Sequence, residues 1–236
     1  MGRCDIINAR SLVIDVMNLE GLQTPISWGD SSRRHNFDGL AKCYRWLEYA
    51  AFGRELERSR IDVMPWLESC ERVLTLGEGD GRFVEALVRR YPALEVVCVE
   101  ASGRMIERAQ QRLPEGARVT FLQADAGTVK LEGEFDGVVT CFFLDCFETA
   151  TLHGMLPRIA NHLRSGGVWG VAEFESNGWR ARAWLRLMYA CFRFTTNLEA
   201  DRLPSWREEF RRMGLESSTT VQRQGGFIQA ERWQKP

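Results

Sequence analysis

Between residues 73 and 174, short apolar runs alternate with stretches of helical spacing. VLTL (73–76) predicts a buried strand and FVEALVRRY (83–91) an amphipathic helix, followed by a second strand at VVCVE (96–100). Ser102 is placed to cap a helix running to about Arg112, and VTFLQ (119–123) and FDGVVTCFF (135–143) read as further strands. LHGMLPRIANHL (152–163) predicts a helix in spite of Pro157. Ser165-Gly166-Gly167 stops it, and VWGVAEF (168–174) is a fifth strand. Strands that alternate with helices imply a parallel sheet with right-handed crossovers, covered on both faces.

The rest of the chain has a different pattern. Residues 178–194 and 204–213 are helical in spacing. In the first of these, Trp184, Leu187, Met188, Cys191, Phe192 and Phe194 share one arc, and Arg182, Arg186, Tyr189 and Arg193 lie opposite. That is an amphipathic helix on the core with a solvated basic face. SSTTVQRQ and FIQAERWQ flank Gly225-Gly226, an antiparallel hairpin at the sheet edge. Upstream, FDGLAKCYRWLEYAAFGRELERSR (37–60) has helical apolar spacing, whereas residues 1–36 carry little periodic signal. The division expected is an N-terminal arm over 1–36 and a single domain over 37–236, opening with helices over 37–70.

Composition narrows the function less than the fold. Of 236 residues, 44% are hydrophobic and 27% charged, and the formal net charge is −1, so no global field points to nucleic acid or a membrane surface. No apolar run reaches the roughly 18–20 residues of a spanning helix. LVIDVM near the start is interrupted by Asp15 and lacks a signal-peptide cleavage site, which makes the cytoplasm the expected location. The seven cysteines are scattered without a C-x-x-C pair, and reduced thiols are expected with no metal site.

VLTLGEGDGRF (73–83) is where chemistry enters. A glycine loop between strand and helix lets backbone approach a ligand closely. The dinucleotide fingerprint would need glycine where this chain has Arg82, because its register is G-x-G-x-G at Gly77, Gly79 and Gly81. Glu100 ends the second strand about 20 residues on, where a carboxylate can accept both hydrogen bonds of a ribose diol. Asp125, in QADA after the third strand, adds a polar point on the same sheet edge.

VLTLGEGDG, VCVEASGRMIERA, FLQADAG, FDGVVTCFFLDCF and LRSGGVWGVAEF, in that order, resemble five successive motifs of class I S-adenosylmethionine-dependent methyltransferases. The resemblance spans about residues 37–230. It implies an α/β, Rossmann-like sheet of seven strands in the order 3-2-1-4-5-7-6, the last antiparallel, with helices on both faces and an N-terminal helical lid. It further implies that Gly77, Glu78 and Gly79, with Gly81 completing the loop, line the methionine part of the cofactor and that Glu100 takes the ribose hydroxyls. Ala101 and Met105 would flank adenine, Asp125 and Ala126 would meet its amino edge, and Cys141 and Phe142 would close the pocket under the sulfonium. Thr75 departs from the family, which commonly has an acid there, and Glu78 is a candidate for the missing charge.

For the chemical step, Asp145 among Phe142, Phe143 and Phe147 is either a base of raised proton affinity or a helix N-cap. His153 and Glu173 are further candidate bases. The family places its acceptor pocket beyond the fifth strand, here residues 178–213. Tyr44, Trp46, Trp179, Trp184, Tyr189 and Trp206 are therefore candidates to line it, and a small hydrophobic or aromatic acceptor is expected. Loosely, FDGLAKCYRWLE and AEFESNGW resemble the ubiquinone and menaquinone C-methyltransferases. Rival readings are an aminopropyltransferase of the spermidine synthase kind, an RNA or protein methyltransferase, and a non-catalytic cofactor-binding protein. No nucleic-acid partner is expected, the basic stripe leaves peripheral membrane contact open, and the oligomeric state is undetermined.

Overall fold

The computed structural model describes residues 54–175 and 204–236. The 1–36 arm, most of the 37–60 pattern and the 178–194 helix lie outside the described residues, as do Tyr44, Trp46, Trp179, Trp184 and Tyr189.

The described chain runs α1 (Glu55–Val63), β1 (Arg72–Leu76), α2 (Arg82–Arg90), β2 (Glu95–Glu100), α3 (Gly103–Gln110), β3 (Val119–Gln123) and β4 (Phe135–Cys141). It continues with α4 (Thr149–Ala160), β5 (Leu163–Phe174), α5 (Trp206–Arg212), β6 (Glu216–Arg223) and β7 (Ile228–Gln234). The seven strands form one sheet in the order β3-β2-β1-β4-β5-β7-β6. β1 to β5 are parallel, and β7 pairs antiparallel with both β5 and β6. The fold is thus the class I methyltransferase sheet that the resemblance implies.

Central strands are buried on both faces, and β1, β2 and β4 are buried almost end to end here, β2 through the continuous apolar run VVCV. The pleat sends alternate residues to opposite layers. Leu74 and Val138 pack on one side with Leu152, Leu156, Trp169, Phe210 and Trp233. Val73 and Val139 pack on the other with Val63, Leu67, Phe83, Leu87 and Ala172. α1 approaches the second layer closely because Gly170 has no side chain: a Cβ there would lie 2.2 Å from Val63 Cγ1.

Two boundaries differ from the pattern. α4 starts and ends three residues earlier than expected, and β5 begins at Leu163, which pairs with Phe135. Ser165-Gly166-Gly167 is therefore an irregularity inside the strand, with Gly166 at φ 75, and not a loop before it. β4 stops at Cys141 because Phe142 turns into left-handed backbone at φ 53.

Candidate active site

Three glycines follow β1, each left-handed, at φ 66, 66 and 82 for Gly77, Gly79 and Gly81. They serve different ends. A Cβ on Gly77 would lie 2.2 Å from Phe143 Cδ2, and one on Gly81 would lie 2.4 Å from Ala109 Cβ. One on Gly79 would meet nothing within 4 Å. Gly77 thus admits the loop beyond β4, Gly81 admits α3, and Gly79 presents bare backbone to open space. Asp80 anchors the turn through Arg82 (2.9 Å) and Arg112 (3.3 Å).

Glu100, at the crest of β2, faces this loop. The Gly79 N–H donates to Glu100 Oε2 and the Ser102 N–H to Oε1, both at 2.9 Å. Ser102 then caps α3 by accepting from the Met105 N–H at 3.3 Å. The sheet register sets Glu100 beside Gln123, so Asp125 lies two residues past it on the same edge. Asp125 Oδ1 accepts from the Gly127 N–H at 2.7 Å in a tight turn, leaving the residue exposed, with Ala126 buried behind it. Ala101 is exposed and Met105 half-buried.

Below the loop lies a pocket lined by Arg60, Thr75, Leu76, Gly77, Glu78, Phe83, Val139 and Cys141. Thr75 is buried beside the Cys98 thiol, and its Oγ1 makes no hydrogen bond of ordinary geometry. Glu78 Oε1 accepts the Val84 N–H at 3.1 Å, satisfying one of the unpaired amides at the start of α2. Burial raises the Glu78 carboxyl to about 8, against the lowering effect of that amide and of Arg60. Burial likewise pushes the Cys98 and Cys141 thiols far up, so both remain protonated and poorly nucleophilic.

The raised Glu78 carboxyl has a measurable consequence. The folded protein holds this proton to higher pH than the unfolded chain, whose glutamate titrates near 4.5. The stabilising contribution is therefore full below that value and is lost as pH rises through about 8. Each tenfold difference in proton affinity between the folded and unfolded chain is worth about 1.4 kcal/mol, so the loss amounts to a few kcal/mol. Glu78→Gln removes it, so the gap in urea midpoint between variant and parent should widen in the variant's favour from pH 6 to 9. A gap independent of pH would contradict the buried acid.

Beyond β4, Phe142 donates its N–H to Ala172 O (2.7 Å), and its ring stands 4.8 Å from that of Phe174. The Arg60 guanidinium lies 5.1 Å from the centre of the same ring. Glu173, only 1% exposed at the end of β5, accepts the Phe143 and Leu144 N–H groups on Oε1 at 2.9 and 2.8 Å. Its carboxyl interacts with that of Asp145, which is also buried and takes a 3.6 Å bond from the Cys146 thiol. Burial lifts Asp145 to about 6, and burial followed by the Asp145 charge lifts Glu173 further, so the pair retains a proton.

The structure thus gathers the glycines, Glu78, Glu100, Asp125, Cys141 and Phe142 at the C-terminal ends of the parallel strands, where open α/β sheets bind ligands. Asp145 and Glu173 lie beneath that edge, turned inward. His153 is not brought to the pocket: on α4, its Nδ1 lies 2.6 Å from Glu209 Oε2 of α5. Trp206, a candidate acceptor-lining residue, instead belongs to the core at 4% exposure, 5.2 Å from Phe210 and 6.1 Å from Trp233. Arg60 is the charged pocket residue that sequence reasoning missed, beside the apolar Leu76, Phe83 and Val139. Its signal was present: positions 56, 59, 60 and 63 form the inward stripe of α1, and a charge on such a stripe points to a site. Among the described residues, no group of three or more His, Cys, Asp or Glu is arranged for a metal, and no helix is long and apolar enough to cross a membrane.

Residues 73–167 match a family model described as a methyltransferase domain. The trans-aconitate 2-methyltransferase of Pseudomonas aeruginosa is 34% identical over 148 residues, covering 59% of this chain and 49% of that protein. The demethylmenaquinone methyltransferase of Thermotoga maritima is 29% identical over 120 residues, 48% of this chain and 51% of that one. The chain spans about half the length of the curated relatives it matches. Among solved structures, the N-methyltransferase NodS of Bradyrhizobium japonicum WM9 with S-adenosyl-L-homocysteine superposes with a TM-score of 0.64 at 17% identity, over 88% of this chain and 100% of that chain. The magnesium protoporphyrin IX methyltransferase of Synechocystis PCC 6803 gives 0.66 at 16%, over 86% and 98%. At these identities the likeness is one of fold.

Proposed function

We propose that this chain, a class I methyltransferase by fold and by the domain match over residues 73–167, binds S-adenosylmethionine and transfers its methyl group to a small-molecule acceptor. The observation that carries the reading is Glu100. Its carboxylate stands between the Gly79 and Ser102 amides, beside the loop glycine that faces open space. A carboxylate so placed suits a ribose diol, and bare backbone at Gly79 suits a ligand lying across the sheet edge. Gly77, Glu78 and Gly79 are assigned to the amino-acid end, with Gly81 shaping the turn. Ala101, Met105, Asp125 and Ala126 are assigned to adenine, and Cys141 and Phe142 to the space under the sulfonium.

When bound, S-adenosylmethionine supplies a methyl group on a sulfonium, already a good leaving group. The protein's share is then alignment and exclusion of water. Glu173 acts as a positioning residue, since its Oε1 fixes the Phe143 and Leu144 amides and so the loop that packs on Gly77. Asp145, held near 6, is the proposed proton acceptor for an acceptor hydroxyl or acidic carbon.

The Phe174 ring stands 4.8 Å from that of Phe142 and 5.5 Å from that of Phe227, an aromatic cluster beyond β4 and β5 that favours a flat apolar acceptor. Arg60 favours a second reading, an acceptor bearing a carboxylate, and relatives named for trans-aconitate fit it. Aminopropyl transfer is less well supported, because the segment after β4, FFLDCF, is mostly aromatic where a polyamine needs several acids. Methyl transfer from labelled cofactor to a panel of phenols, quinols and unsaturated polycarboxylates separates these readings. Turnover of the aromatic members is the expected result. Turnover confined to polycarboxylates would replace the first acceptor class with the second, and cofactor binding with no transfer would leave a binding protein.

A further inference from the structure

The pocket below the glycine loop holds a second feature that ribose recognition does not use. Thr75 is 1% exposed, lines this pocket and has an Oγ1 without a well-formed hydrogen bond. Glu78 lines the same pocket from the loop, three residues on. Its Oε1 is held by the Val84 amide, which fixes the carboxyl without neutralising it. The charged and titratable groups around it are Arg60 on α1, Asp80 in the loop, Glu100 and Cys98 on β2, and Cys141 on β4. One of these is a cation, two are further acids, and the thiols are uncharged. Arg60 alone does not offset burial and the two neighbouring acids, so the carboxyl keeps its proton until a second positive group arrives beside it.

We infer that Glu78 receives the ammonium end of the bound amino-acid group, so that strand position 75 needs no acid, and that ligand binding there releases a proton from the protein. The inference rests on the cofactor reading above and says which of its atoms this chain recognises from an unusual position. Bound ammonium takes over the role of the proton: Glu78 changes from carboxyl to carboxylate, the proton passes to buffer, and no covalent bond to the ligand forms. Thr75 Oγ1 is left to accept a second ammonium hydrogen bond.

Two ligands that share the nucleoside but differ at this end test the idea. S-adenosylhomocysteine carries the amino-acid group and 5′-methylthioadenosine lacks it. Isothermal titration at pH 7 in phosphate and in Tris should give buffer-dependent enthalpies for the first, corresponding to release of close to one proton, and buffer-independent ones for the second. Glu78→Gln should abolish the release and cut the preference for S-adenosylhomocysteine over 5′-methylthioadenosine at least tenfold, leaving 5′-methylthioadenosine affinity unchanged. Equal enthalpies in both buffers for the parent protein would overturn the proposal without recourse to a variant, as would an unchanged preference in Glu78→Gln. Failure of both ligands to bind the parent protein would instead remove the cofactor reading, and this inference with it.

Discussion

Gly81→Ala lowers the melting temperature by roughly 5–15 °C, the largest loss expected from one added methyl in the loop. Two costs combine. At φ 82 the backbone penalises any side chain by about 1–2 kcal/mol for left-handed geometry. The new Cβ would also fall 2.4 Å from Ala109 Cβ and 2.5 Å from Ala109 Cα, so α3 has to move as a body and not merely rotate a side chain. Overpacking of this kind costs about 1–3 kcal/mol, bringing the total to about 2–5 kcal/mol. Gly79→Ala, with similar φ and no neighbour within 4 Å, should lose only the first part in the absence of ligand. Paired thermal melts decide the matter: equal losses in the two variants would mean that the α2–α3 contact is not the constraint described.

Glu100→Ala should weaken S-adenosylhomocysteine binding about 100-fold while leaving the protein folded. Hydrogen bonds to a charged group contribute about 1.5–3 kcal/mol each, and a ribose diol offers two. Part of that is offset because the carboxylate already accepts the Gly79 and Ser102 amides, so about 3 kcal/mol net, or 100-fold, is the expected scale. The freed amides lie at a half-buried edge where water can reach them, and stability should fall by only about 1 kcal/mol. Titration calorimetry beside a urea melt separates the two effects. A change in affinity below threefold with the fold intact would take Glu100 out of the site.

The strands, their alternation with helices and the closing hairpin were legible because burial on both faces leaves continuous apolar runs such as VLTL and VVCVE, a signal local to each segment. The glycine loop and Glu100 were legible for a similar reason, since their spacing is set by one strand–turn–helix unit. What sequence hid depends on which backbone amides face a side chain. Glu173 reads as a candidate base at a strand end, yet its Oε1 is occupied by two amides that the Phe142 turn swings toward it. No residue type announces a left-handed phenylalanine, and the apolar run FDGVVTCFF accordingly overstates the strand by two residues. His153 is chemically able but is engaged by Glu209, a partner 56 positions away that only helix packing supplies. Arg60 was legible only as the charge on the stripe that Leu56, Ser59 and Val63 turn inward, a signal that is read once the helix has been placed.

β7 is the last of the seven strands to be synthesised, yet it lies inside the sheet, between β5 and β6. Until residue 234 has left the ribosome, β5 therefore has an unpaired edge running from Val168 to Phe174, lined by deeply buried apolar residues of the finished sheet. Such an edge is a template for pairing with other chains, and the nascent protein depends on completing β7, or on a chaperone, to stay monodisperse. Premature termination inside β7 would thus act on solubility before it acted on any chemistry at the opposite end of the sheet.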